Sequence, residues 1–361
     1  MHFAIFATPV AVLLISTLLP LSRLPGWWVR DLDFPRLQLA VAALGVLVAQ
    51  LLFMDLDEGE SLALLGATAG CLLYQAWWIF PYTKAYPHEV KAAVPDASHE
   101  RIRIMTANVL TTNRNADGLI ALIHEYDPDV FVTLETDSWW QEQLDTLEGA
   151  YPFSMKCPLD NLYGMHVYSR LPLEDCAIQF LVEDDIPSMH AMAVLPSSRK
   201  VRMHFLHPAP PSPTEHTEST ERDAELLVVA RSVAGLDTPV IVAGDLNDVA
   251  WSTTTRLFRK ISGLLDPRIG RGMFNTFHAD YWFMRWPLDH LFHSRHFTLS
   301  FITRLPHFGS DHFPVLVELV YDKAHGAQQQ GLVADADDQA LADEKIDAEP
   351  VEVADVHEPQ A

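Results

Sequence analysis

The chain has 361 residues, 49% of them apolar and 20% charged, with three cysteines. That composition excludes wholesale disorder, a collagen-like repeat and a disulfide scaffold, and the length admits two domains or one large one. The formal charge of −23 leaves no bulk basic surface of the kind that condenses onto a nucleic-acid backbone, although a few local cations and a metal can still bind a polyanion.

Three apolar stretches open the chain, residues 3–21, 37–54 and 62–80, each free of charged side chains. Each is close to the roughly 20 residues that a helix needs to cross a hydrocarbon core of about 30 Å. Residues 1–86 therefore read as a membrane anchor with three spanning helices. A cleavable signal peptide is the other reading of the first stretch, but Met1 and His2 supply no basic leader and two further spans follow. Trp27, Trp28, Trp77, Trp78, Tyr82 and Tyr86 fall at the ends of the stretches, where amphipathic rings favour the headgroup level. Arg23, Arg30 and Arg36 lie in the first loop, Lys84 and Lys91 follow the third span, and the loop at 55–60 is purely acidic. The excess of Lys and Arg places the domain that follows in the cytoplasm, as in a multi-pass protein of a bacterial-type inner membrane.

Residues 87–100, with Pro87, Pro95 and Ser98, read as a linker. Over 101–322 short β-rich runs alternate with helical spacing. Strands are predicted at 102–106, 130–134, 165–169, 190–195, 201–206, 239–243, 288–293 and 314–321, and helices at 117–126, 220–234 and 253–261. Many strands with few helices predict two sheets packed face to face with helices outside. Trp139, Trp140, Phe277, Trp282 and Trp286 read as core or rim packing, with stacking on a base or a lipid as the alternative. Cys157 and Cys176 suit either a disulfide on an oxidising side or reduced, buried thiols. Residues 323–361 hold 2 Lys+Arg against 10 Asp+Glu and are poor in aromatics, which predicts a disordered acidic tail.

Polar residues gather at the predicted strand ends: Asn108, Glu135, His207-Pro208, Gly244-Asp245-Leu246-Asn247, Asp289-His290 and Ser310-Asp311-His312. Taken singly, an Asn or Asp after a strand is a turn or cap residue. Six such sites at the ends of successive strands point to one site. Glu, Asp and Asn oxygens without a zinc-type cluster favour a hard cation such as Mg²⁺, with Mn²⁺ as its substitute. His312 with Asp289 suits an oriented imidazole that takes or holds a proton. Neither a Gly-x-Ser-x-Gly elbow nor a Gly-rich nucleotide loop occurs.

In their order and spacing these motifs resemble the endonuclease/exonuclease/phosphatase superfamily over about residues 101–321, Gly-Asp-x-Asn and Ser-Asp-His being the specific ones. The resemblance implies an α+β catalytic domain over 101–322, a four-layer α/β/β/α sandwich, here preceded by three transmembrane helices. It implies metal-dependent hydrolysis of a phosphate ester, with Glu135 ligating Mg²⁺, Asn108 beside it and Asp311 in the metal or second-metal region. It further implies that His207 touches the scissile phosphate, as in the deoxyribonuclease branch, and that Asp245 handles a proton. Asn247 would orient the phosphate and Asp289 would orient His312, with either Asp245 or His312 as the base. Glu135 follows Thr133-Leu134, where many relatives have Gln before the Glu. The basic DNA-binding loops of nucleases are not evident, and Arg170 and Arg271 are the scattered arginines best placed to face substrate. The chain thus reads as a membrane-anchored Mg²⁺-dependent phosphoesterase that hydrolyses a phosphodiester or phosphomonoester by metal-assisted in-line attack of water, and a tethered acidic domain suits a phospholipid or soluble phosphate ester. A nuclease acting on DNA or RNA, and a catalytically silent membrane-tethered binding module, are the alternatives.

Overall fold

The structure, a computed structural model, describes residues 2–94 and 100–359. The N-terminal unit comprises α1 (His2–Leu18), α2 (Trp27–Arg30), α3 (Arg36–Phe53) and α4 (Gly59–Ile79). Two segments, Arg36–Phe53 and Gly59–Tyr82, are long and apolar enough to cross a membrane. The first of the three expected spans is shorter: α1 stops at Leu18, and a 3-10 turn carrying Pro20 follows it. Outward faces of these helices are apolar, with Leu52 69% and Leu73 71% exposed. Their shared interior is polar at one level. Arg36 pairs with Asp33 and donates Nη1 to Gln75 Oε1 at 3.2 Å, and Gln75 Nε2 donates to Thr17 Oγ1 at 3.1 Å. The guanidinium also sits 4.7 Å from the Trp78 ring, so its charge meets a carboxylate, an amide oxygen and an aromatic face.

The helical unit is seated on the domain that follows. Trp251 Nε1 donates to Asp33 O at 2.9 Å, Trp27 N to Thr217 O at 2.9 Å and Ser219 N to Pro25 O at 2.9 Å. Ala40, Ile79 and Tyr82 share a buried cluster with Val249, Ala250, Trp251 and Leu288. These contacts lie where α3 begins and α4 ends, a full helix length of about 27 Å from the acidic turn between them.

Four strands then form, β1 (Arg101–Asn108), β2 (Val130–Leu134), β3 (Phe153–Cys157) and β4 (Met165–Ser169), with α5 (Ala116–Tyr126) and α6 (Ser138–Leu144) between them. A second sheet holds β5 (Leu173–Gln179), β6 (Ser188–Val194), β7 (Lys200–Leu206), β8 (Val240–Asp245) and β9 (Asp289–His293) in chain order, with α7 (Thr220–Ser232) and α8 (Thr253–Ser262) inserted. Finally β10 (Phe297–Arg304) and β11 (Val315–Tyr321) return to the first sheet, whose order is β10-β11-β1-β2-β4-β3. Central strands are buried on both faces, which is why they read as continuous apolar runs. Ile102, Ile104, Val130 and Val132 meet Met203, Phe205, Ile241 and Ala243 between the sheets. Met105, Ala107 and Phe131 face α5 and α6, and Leu206, Val240 and Val242 face α7 and α8. The result is the expected α/β/β/α order of layers.

Two composition-based expectations are corrected. The tail is not an unstructured acidic run: it forms α9 (Lys323–Gly326) and α10 (Ala336–Ile346), and Ala342, Ile346, Val351 and Val356 are buried against α7 and α8. Four of its apolar residues share one buried cluster, and some of its acids find cations, as in the Lys260–Asp338 pair at 2.6 Å. Averaged composition hides both facts. The described part of the expected linker is a fixed strap, because Val90 is wholly buried in the sandwich core and Ala93 N donates to Leu299 O at 2.8 Å. Pro95 and Ser98 lie outside the described residues. All three cysteines are unpaired.

Candidate active site

Parallel pairing of β1 with β2 and of β7 with β8 sends the ends of both pairs to one edge of the sandwich. Asn108 ends β1, Glu135 follows β2, His207 follows β7, and Asp245 ends β8 directly opposite Asp289 at the start of β9. Gly244 makes this approach feasible: with φ of +147° it lies so near β7 that a Cβ would sit 1.9 Å from Leu206 O. Glu135 holds φ of +60°, a conformation that costs a non-glycine residue about 1–2 kcal/mol. Thr111 Oγ1 braces that turn by donating to the Glu135 carbonyl at 2.6 Å.

Asn108 is the hub. Its Nδ2 donates to Glu135 Oε1 at 2.8 Å and to Asp245 Oδ2 at 3.2 Å, while its Oδ1 accepts from Leu110 N at 3.0 Å. His312 Nδ1 donates to Asp289 Oδ2 at 2.8 Å and stands 3.6 Å from Asp245 Oδ2. Asn247 N donates to Asp245 Oδ1 at 3.0 Å, and its Nδ2 reaches Pro208 O at 2.9 Å, tying the Asp245 loop to the residue after His207. Burial alone would lower the His312 pKa, but the Asp289 and Asp245 carboxylates outweigh it and raise the value to about 10. His207 has no such partner, and burial drops it to about 4. The imidazolium of this site is therefore His312, and His207 is neutral at ordinary pH.

Burial raises the Glu135 pKa to about 7, helped by the fields of Asp311 and Asp245 and opposed by the Asn108 hydrogen bond. Its Oε2 is buried with no hydrogen-bond partner. An orphaned carboxylate oxygen among like charges is the setting that a hard divalent cation relieves, so these residues fit such an ion. Asp245, Asp289 and His312 also lie within mutual ligand reach, but their hydrogen bond and ion pair already account for that trio.

All eight residues singled out from the sequence belong to this edge. Asp311 is half-buried, as are Glu135 and Asn247: its carbonyl accepts from Ala279 N at 2.6 Å, and Ser310 Oγ donates to Asn108 O at 2.7 Å. Sequence reasoning missed the supports. Thr276 Oγ1 accepts the N–H groups of Leu288 and Asp289, each at 3.2 Å. Tyr163 places its ring 5.4 Å from His207, and buried Arg222 donates to Asn247 O at 2.9 Å. Nothing local in the sequence marks these residues, which reach the site only through folding. Arg170 and Arg271 do not face it: Arg170 pairs with Asp127 over the Tyr151 ring, and Arg271 donates Nη2 to Val90 O at 2.6 Å. Trp140 is core and Trp286 is buried, whereas Trp282 is exposed.

A sequence model described as the Endonuclease/Exonuclease/phosphatase family matches residues 105–312. Among solved structures, TDP2 of D. rerio complexed with a single-strand DNA product is 18% identical, with a TM-score of 0.52 over 62% of this chain and 99% of that one. An endonuclease/exonuclease/phosphatase from Beutenbergia cavernae is 18% identical, with a TM-score of 0.51 over 62% and 72%. The human Nocturnin catalytic domain with bound sulfate is 16% identical, with a TM-score of 0.51 over 62% and 95%. At such identities the likeness is one of fold. No curated protein matches the chain.

Proposed function

The chain belongs to the endonuclease/exonuclease/phosphatase family and is a metal-dependent hydrolase of phosphate esters, and we propose that it is a Mg²⁺-dependent phosphoesterase anchored in a membrane by its N-terminal helices. The observation that carries the reading is the bridge that Asn108 makes between Glu135 and Asp245, beside the Asp289–His312 pair. Glu135, with Asn108 and Asp311, would hold the cation, whose charge offsets that on the phosphate's non-bridging oxygens. His312, kept protonated and oriented by Asp289, presents its other ring nitrogen as a donor to the phosphate. His207 and the Asn247 loop line the same edge. With His312 holding its proton, Asp245 is the carboxylate left to accept one from the attacking water. The anchoring is supported by two apolar helices whose outward faces are unburied, a surface suited to hydrocarbon.

Hydrolysis of a chromogenic phosphodiester by the full chain in detergent tests this, with Mg²⁺, with chelator, and with Asp245→Asn. Turnover should require the metal and fall by about three orders of magnitude or more in the variant. A silent binding module predicts no turnover at all. A nuclease is the second reading, because the D. rerio neighbour is a complex with DNA; it predicts cleavage of single-stranded DNA at rates far above those of the small ester.

A further inference from the structure

The site is bordered by a hairpin that none of its chemistry uses. Phe277 N donates to Trp286 O at 3.0 Å, His278 N to Met284 O at 3.0 Å and Met284 N to Tyr281 O at 3.0 Å, so the tip at 280–283 is held by its own backbone. Its base is built into the catalytic edge. The Phe277 ring lies 4.9 Å from that of His312, and Ala279 N donates to the carbonyl of Asp311.

Its tip presents four consecutive large apolar side chains outward. Trp282 is 79% exposed, and Tyr281, Phe283 and Met284 are exposed beside it. Single exposed apolar residues need no explanation, but a contiguous aromatic tip on an ordered hairpin marks a surface that meets something other than water. The fold says where that tip lies. Gln38, three residues into α3, donates Nε2 to Phe283 O at 2.9 Å, and Phe34 packs edge-on against Trp286 at 5.7 Å. The tip therefore sits at the level where the apolar segment of α3 begins. Trp28, Trp77 and Phe80 are exposed at the same end of the helical unit, completing an aromatic belt of the kind found at headgroup depth. Arg285 and Arg304 flank the hairpin, both over the Phe313 ring at 5.0 and 4.2 Å and donating to Ala279 O and Asn275 O, so two cations stand beside the aromatic tip.

We propose that the tip formed by residues 281–284 enters the headgroup region of the membrane that α3 and α4 cross, and that the substrate is a phosphate ester of a lipid drawn from that bilayer. The proposal rests on the anchored-phosphoesterase reading and narrows its substrate to one that never leaves the membrane surface. The hairpin couples the two ends physically, since one ladder of backbone bonds runs from the aromatic tip to the residues that touch His312 and Asp311.

Two measurements on the full chain, reconstituted in phosphatidylethanolamine/phosphatidylglycerol vesicles, test it. Brominated acyl chains should quench the wild type more than Trp282→Phe, with the difference largest for bromines near the glycerol. Equal quenching of the two proteins overturns the insertion. In parallel, Trp282→Asp/Phe283→Asp should lower release of headgroup from the vesicle phospholipid on the order of tenfold or more, and leave turnover of a soluble chromogenic phosphodiester within about twofold. Equal vesicle turnover by variant and wild type overturns the role of the tip in reaching that lipid, and soluble turnover without any by the wild type on vesicles overturns the lipid substrate. Failure of the wild type on both substrates removes the phosphoesterase reading and the lipid substrate with it, while the quenching result decides the insertion by itself.

Discussion

In chelator at pH 8, Glu135→Gln should make the protein more stable. Burial holds the folded-state pKa of Glu135 at about 7 against an ordinary 4.5, so the folded state binds this proton more tightly than the unfolded chain. Stability therefore declines as pH rises from about 4.5 to 7 and stays low above that range. A tenfold change in proton affinity is about 1.4 kcal/mol, so the full displacement amounts to roughly 3 kcal/mol, and partial exposure of the residue trims it to roughly 2. Glutamine keeps an oxygen to accept from Asn108 Nδ2, and the atom replacing the orphaned Oε2 is no worse partnered, so those contributions cancel. At about 2–4 °C per kcal/mol, melting should rise by about 5 °C at pH 8 and by only about 1 °C at pH 5, where about a quarter of the displacement is already lost. If Glu135 is the main ligand as proposed, Mg²⁺ should reverse the order, because an ion at a hundredfold over its Kd would stabilise the wild type by about 2.7 kcal/mol and would lose that ligand in the variant. Thermal melting of both proteins in detergent at the two pH values, with chelator and with Mg²⁺, reads all four states. A variant less stable than wild type in chelator at pH 8, or one that gains as much from Mg²⁺, would refute the assignment of Glu135 as a strained ligand.

Gly244→Ala should be severely destabilising, by about 3 kcal/mol or more, since its Cβ would overlap the Leu206 carbonyl, whereas Gly235→Ala, at φ of +70° with open space around it, should cost only about 1 kcal/mol. Comparable melting temperatures for the two variants would show that the β7–β8 approach is not as drawn. Glu225, buried on α7 with Oε1 unpaired, has its pKa lifted to about 8 by burial and then by Glu183. Folding thus loses stability as pH rises from about 4.5 to 8, and Glu225→Gln should flatten denaturation midpoints over that range while changing little near pH 4.5. Ile346→Ala should cost roughly 2 kcal/mol in denaturant titration if α10 is docked as described, and nothing if the tail is free.

Reading the sequence located the strands that are buried on both faces and missed three others. β3, β5 and β10 lie at sheet edges and show mixed or exposed side chains, so neither continuous apolarity nor clean alternation marks them. The start of α8 was legible, and its cap is Ser252, whose side chain accepts from Thr255 N. The eight polar residues proposed for the site could be picked out because they gather at or beside the ends of apolar strands, whereas the supports Thr276, Tyr163 and Arg222 carry no such mark. What each residue touches could not be read. That Asn108 bridges two carboxylates, that His312 carries the imidazolium charge and His207 does not, and that Thr276 holds Asp289 all depend on partners far along the chain.

The same division separates the chain's two halves. Composition alone determined the apolar N-terminal helices and the acidic balance, because span length and charge are sums over neighbouring residues. Pattern alone determined the two-sheet domain and its motif-bearing edge, because burial on both faces leaves a local signature. Only the tertiary structure decided that the acidic tail is a docked helix, that the helical unit is seated on the Asp245 loop through Trp251, and that an aromatic hairpin joins the catalytic edge to the start of α3. Those contacts are between residues tens to hundreds of positions apart, and their energy comes from complementary surfaces that exist only once both partners have folded.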